Sequence, residues 1–222
     1  MTIIPPWSYS ALSTFENCPK QYYHRYILRE KEPETAVTKH GTEVHKALED
    51  RLSDHVKKPL PDAYAPYEKL AGSVEKAAEG GLLMVELPLA IDKAFQPCQF
   101  FGKEVWGRGK ADVCILKGKK LWTGDWKTGK VREKIFQLQI FAAFLFKMFP
   151  QVDEIHANNL WLQANKIGEN YKFTRAGESS IWQEILHKIG RVELAAEKDS
   201  FEPKQSGLCG FCSVKTCPHN RS

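Results

Sequence analysis

The chain has no apolar run approaching the ~20 residues that a membrane-spanning helix needs, so no bilayer span is predicted. Its opening Met-Thr-Ile-Ile-Pro-Pro-Trp lacks the basic region and apolar stretch of a secretory leader. Internal repeats and low-complexity tracts are missing too, which excludes a repeat architecture. Cysteine is scarce, with six in 222 residues. A chain without leader or span is expected in the cytoplasm, where thiols stay reduced. Clustered cysteines there point to metal more often than to disulfides.

What is present suits one domain with a substantial core, since 42% of the residues are hydrophobic. Lysine and arginine total 32 against 27 acidic residues, a net charge of +5. That excess favours a polyanionic partner but equally fits an ordinary basic protein.

The first 30 residues read as helix. Ser8 or Ser10 can cap the entry, Tyr9, Leu12 and Phe15 recur at helical spacing, and Pro19 can open a second helix carrying Tyr22, Tyr23 and Tyr26. Residues 31–38 are polar and predicted as loop. A helix follows over 41–53 with Val44 and Leu48 inward, then an irregular stretch over 54–66. Another helix covers 67–79, stopped by Gly80 and Gly81.

Strands are predicted for 82–91, for Phe100 and Phe101, for 105–116 and for 120–127. The segment 132–149 is a helix closed by Pro150. It is apolar nearly all round from Ile140 and is expected buried against a sheet. Strands over 155–163 and 171–175 and a long amphipathic helix over 178–198 complete the pattern. The expected class is α/β, with a central mixed β-sheet flanked by helices.

Gly118-Lys119 can form a two-residue turn with glycine first. Lys117 then pairs with Lys120, and counting outward sets Asp112 opposite Asp125. Two carboxylates so placed repel each other, and a divalent cation between them turns that cost into a binding site. Along the strand Asp125 and Lys127 share a face while Trp126 points away. A three-residue loop would shift the register and separate the carboxylates, leaving a solvated hairpin.

Cys209, Cys212 and Cys217 lie within nine positions, one short of a metal set, and Cys18 is the best fourth candidate. Cys98 and Cys114 are expected within strands as small buried hydrophobes.

Read together, these residues resemble the PD-(D/E)XK nuclease superfamily in its RecB-like branch, which includes AddB nuclease domains and CRISPR-adaptation exonucleases. The resemblance runs through Ser8-Tyr9-Ser10, Phe15-Glu16-Asn17-Cys18-Pro19, Tyr22, Tyr23 and Tyr26. It continues through Gly41-Thr42-Glu43-Val44-His45, Glu86, Gly109-Lys110-Ala111-Asp112, Gly124-Asp125-Trp126-Lys127-Thr128-Gly129, Gln137 and the cysteine tail.

It implies that His45, Asp112, Asp125 and the Trp126 carbonyl hold Mg²⁺ or Mn²⁺, with Lys127 as the catalytic lysine. Gln137 opens a Q-x-x-x-Y motif that positions nucleophile or DNA. The tyrosine of that motif is Phe141 here. Glu86 either touches a second metal or water or only packs on its strand, and His40 has no matching role.

The resemblance also implies a 4Fe-4S cluster on Cys18, Cys209, Cys212 and Cys217. Zinc on the same thiolates is the alternative, with His219 able to replace one ligand. The expected domain is 1–222, with a helical part over 1–80, a restriction-endonuclease-like nuclease core over 81–200 and a cysteine tail over 201–222. Its two ends would be joined at the cluster.

The implied function is a metal-dependent DNA nuclease, an exonuclease on single-stranded ends in processing, recombination or repair. Arg108, Lys110, Lys130 and Arg132 would flank its site. A helicase or recombination protein could work alongside, and the implied origin is phage or bacterial. The alternative is an inactive DNA-binding or scaffold subunit of the same fold.

Overall fold

The structure, a computed structural model, describes residues 2–53 and 55–221. The expected irregular stretch 54–66, the cysteine tail and the single 1–222 unit each include a residue outside the described ones.

Ser8 caps the first helix, α1 (Tyr9–Asn17), by accepting from the Ala11 amide, and buries Ala11, Leu12 and Phe15 on one face. Pro19 opens α2 (Pro19–Tyr22), which widens into a π-helical turn over Tyr23–Ile27. Helix α3 (Ala36–Leu52) starts earlier than expected. Thr35 and Thr38 bond each other's backbone amides and nucleate it within polar sequence, so 36–38 are helix and not loop. A 3₁₀ segment over Asp62–Tyr67 leads into α4 (Glu68–Ala78).

Strands β1 (Leu82–Ile91), β2 (Gly107–Lys117) and β3 (Lys120–Lys127) form an antiparallel meander. Helix α5 (Ile135–Met148) crosses over to β4 (Glu154–Trp161), which runs parallel to β3. The short strands β5 (Lys166–Ile167) and β6 (Tyr171–Thr174) pair with β4. Helix α6 (Glu178–Glu197) follows. The result is a mixed sheet with helices on both faces, so the expected class holds.

Phe100 and Phe101 are not a strand. The Asp92 side chain accepts from the Ala94 and Gln96 amides, and that local turn draws the chain out of the sheet. Cys98 lies in the same loop, half-buried, so its expected place in a strand is corrected; Cys114 is buried in β2 as expected.

The sheet separates two apolar cores. Helices α1, α5 and α6 pack on one face around Phe144, Phe146, Ile140 and Trp182. Helices α3 and α4 pack on the other, around Val44, Leu48, Val113 and Trp126. Arg51 ties the second pair together through Glu68 and Glu75. Gly107 sits against the Trp7 ring, and a Cβ there would meet it at 2.4 Å. No described helix is long and apolar enough to cross a membrane.

Strand side chains alternate between faces, so residues two apart should share a core. Here they do not. Leu83 and Val85 pack with α3 and α4, whereas Leu87, Leu89 and Ile91 pack with α5. On β2 the same switch separates Val113 from Ala111. The register keeps its count, with Val85 opposite Val113 and Leu87 opposite Ala111, but skips the pair between them, so both strands turn over together at Glu86 and Asp112. Glu86 sits in the left-handed region with φ +52°, a conformation costing on the order of 1–3 kcal/mol for a side-chain-bearing residue.

Candidate active site

The tight turn falls where expected. Gly118 has φ +57°, and Lys117 pairs with Lys120. The ladder then runs to Val113 and Gly124 and stops one residue short of Asp112 and Asp125. There the strands part. The Asp112 carboxylate accepts from the Trp126 amide at 2.7 Å, taking up a donor that the ladder no longer uses.

The opening is lined from three directions. His45 comes from α3, with Nδ1 3.3 Å from Asp112 Oδ1. Glu86 comes from the kink in β1. His45, Glu86 and Asp112 each offer a ligand atom, and all lie within 4.8 Å of one another. Lys110, next but one to Asp112, pairs with Glu86 at 2.7 Å. The sequence left the role of Glu86 open; the structure sets it beside His45 and Asp112.

Asp125 is not in that trio. Its side chain lies on the α5 face, ion-paired with Lys127. Gln137 of α5 binds both: Nε2 donates to Asp125 Oδ1 at 2.9 Å, and Oε1 accepts from Lys127 Nζ at 2.7 Å. One amide thus fixes the geometry of acid and lysine. Phe141, one turn further on, is buried in the core near Gly109. The Trp126 indole is buried against α3 and α4, so only its backbone faces the site.

Electrostatics follow from burial and like charge. Burial pushes the Asp125 carboxyl up and Lys127 opposes it; with Asp112 nearby it stands at about 6. Burial alone would push the His45 imidazole down. The hydrogen bond and charge of Asp112, with Asp125 and Glu86 behind, outweigh that and hold it above its ordinary value.

One anchor was not visible in the sequence. Asn159 stands beside Asp125 in the parallel register. Its amide donates to Glu133 at 2.7 Å, and the Trp161 indole donates to the same carboxylate. This ties down the loop carrying Lys130 and Arg132. Only the β3–β4 pairing reveals it.

The thiols of Cys18, Cys209, Cys212 and Cys217 line one small pocket, and His219 is not among its lining residues. The Lys204 amide donates to Cys18 Sγ at 3.4 Å and the Ser206 amide to Cys209 Sγ at 3.3 Å. Phe201 packs on Phe15, Tyr22 and Tyr23, drawing the segment after α6 back to α1. Among the described residues no three of these sulfurs come within the 4.8 Å that gathers His45, Glu86 and Asp112.

A sequence model described as the PD-(D/E)XK nuclease superfamily matches residues 6–218. No curated protein sequence matches the chain. Among solved structures, a presumed exonuclease from Eubacterium rectale superposes with a TM-score of 0.54 at 14% identity, covering 98% of this chain and 88% of its own. The protein SSO0001 superposes with a TM-score of 0.43 at 13% identity, covering 100% of this chain and 90% of its own.

Proposed function

The chain belongs to the PD-(D/E)XK nuclease superfamily, and from that premise we propose that it is a Mg²⁺- or Mn²⁺-dependent deoxyribonuclease. Its substrate is DNA with single-stranded ends, and its action is exonucleolytic. One observation carries the reading: an imidazole and two carboxylates converge within 4.8 Å, beside a lysine and an aspartate held by one glutamine.

The donor set fits the metal. Two carboxylates and one imidazole make a mostly oxygen site, suited to Mg²⁺ and Mn²⁺. His45, Glu86 and Asp112 would hold the ion, with Asp125 and the Trp126 carbonyl completing the set. When bound, such an ion neutralises charge growing on the phosphate and lowers the pKa of water.

The chain's own groups do the rest. Lys127 is a fixed cation that orients the attacking water or stabilises the pentavalent phosphorane. Gln137 keeps the ammonium and the Asp125 carboxylate in register. Arg108, Lys110, Lys130 and Arg132 draw the phosphate backbone without reading sequence, so affinity falls with salt.

An inactive binding subunit has one observation in its favour. Phe141 is buried and carries no hydroxyl where the motif has tyrosine. The intact His45, Asp112, Asp125 and Lys127 weigh against it.

Cys18, Cys209, Cys212 and Cys217 are assigned to a 4Fe-4S cluster. The shared pocket and the amides directed at sulfur support this, with zinc on the same thiolates as the alternative. A partner helicase or recombination protein belongs to the same reading.

The test compares linear single-stranded, circular single-stranded and duplex DNA of one sequence with Mn²⁺, then with chelator. Fastest loss of the linear single strand, survival of the circle and arrest by chelator are expected. Cleavage of the circle would make the protein an endonuclease. No hydrolysis with either metal would reject the nuclease reading.

A further inference from the structure

Beyond the kink at Glu86 and Asp112, the sheet face that α3 and α4 cover elsewhere is open. Pro88 and Lys110, opposite each other in the register, are both exposed. Side chains along this face lead away from the candidate metal site as a row of two linked groups. Glu86 pairs with Lys110 at 2.7 Å. Arg108 is the next residue of β2 on the same face. Its guanidinium lies over the Phe100 ring, 5.5 Å from the centroid. Phe101 meets Phe100 edge to face, with centroids 5.0 Å apart. Phe101 is 88% exposed, so its ring faces solvent at the end of the row.

Neither end of this row looks like packing. A phenylalanine held in water loses the stabilisation that burial would give it. Among the described residues Arg108 has no carboxylate partner, so its charge is uncompensated. A cation beside an exposed aromatic pair suits a ligand that alternates phosphate with flat base. Arg108 lies four strand positions from Asp112, about 13 Å. Duplex DNA hides its base faces, whereas a single strand offers them for stacking.

We propose that Arg108, Phe100 and Phe101 form a subsite for single-stranded DNA. One base stacks on Phe101, and its phosphate lies against Arg108, on the strand leading to the metal site. This deepens the nuclease reading above and rests on it.

The test is anisotropy of a labelled oligothymidylate, with Ca²⁺ in place of Mn²⁺. Intact strands are compared with strands made abasic at successive positions. Wild-type protein should bind about ten-fold more weakly when one particular position is abasic. Phe101→Ala should bind the intact strand about ten-fold more weakly and no longer distinguish that position. Because Phe101 is solvent-exposed, the substitution leaves the core untouched. Arg108→Gln should reduce the salt dependence of binding by about one phosphate contact.

A Phe101→Ala protein that binds as wild type, or that discriminates abasic positions as wild type does, overturns the subsite. If wild type also degrades DNA with Mn²⁺, the subsite alone falls. If wild type neither binds nor cleaves, the nuclease reading falls and takes the subsite with it.

Discussion

Asp125 is buried at 3% exposure beside Lys127, and the fold holds its carboxyl at about 6. The consequence for stability has a definite sign. The folded value lies above the unfolded 3.8, so the folded state keeps its proton longer. Below about pH 4 both states are protonated and nothing is lost. As pH rises toward 6 the unfolded chain ionises first and stability falls, and above 6 the loss is complete. Asp125→Asn should therefore stabilise the metal-free protein at pH 7.5 by about 1–3 kcal/mol, and by far less at pH 4. Urea unfolding in chelator at the two pH values measures this, and equal effects at both would contradict it. Asp125, Lys127 and Gln137 could be named from the sequence because motif spacing carries them. Glu86 could not be given a role, because nothing in the sequence signals a glutamate with φ +52° inside a strand.

Among elements, the β2–β3 hairpin was the most legible, since glycine first in a two-residue turn sets one register. The count failed only where the strands part at Asp112, a separation made by side-chain bonding that periodicity does not encode. The start of α3 was missed because its first turn is polar and solvent-facing, so only the Thr35–Thr38 cap marks it.

The end of α5 depends on Arg175, which neither spacing nor motif suggested. Its guanidinium donates to the carbonyls of Phe146, Phe149, Pro150 and Val152 and pairs with Glu178. Phe146 stands in the last turn of α5, where carbonyls lose their intrahelical partners, and the other three follow in the turn beyond it. Arg175→Ala should cost about 2–3 kcal/mol in urea unfolding, and Arg175→Lys should recover little, because one ammonium cannot span four acceptors. Full stability of Arg175→Lys would show that charge alone suffices.

At the scale of the whole molecule, the two ends of the chain approach each other. Lys188 pairs with Glu16, Lys204 donates to the Glu16 carbonyl, and Cys18 shares a pocket with the C-terminal cysteines. Spacing singled out the four cysteines; the fold lines one pocket with them through aromatic and lysine contacts that spacing does not encode, without gathering three of their sulfurs within 4.8 Å. A cluster there would close a loop of about 190 residues, worth on the order of 5 kcal/mol in the entropy model. Cys212→Ala should then be insoluble or readily proteolysed, and should lose absorbance near about 400 nm if wild type is brown. A soluble, fully active, colourless variant would show that no cluster holds the two ends together.

Hydrolysis of DNA at one site through Asp112 and Lys127 can be measured as the rate at which wild type, Asp112→Ala and Lys127→Ala degrade end-labelled single-stranded DNA with Mn²⁺. Rapid loss of label is expected with wild type and a fall of at least about 100-fold with each variant. Equal degradation by all three would rule this site out.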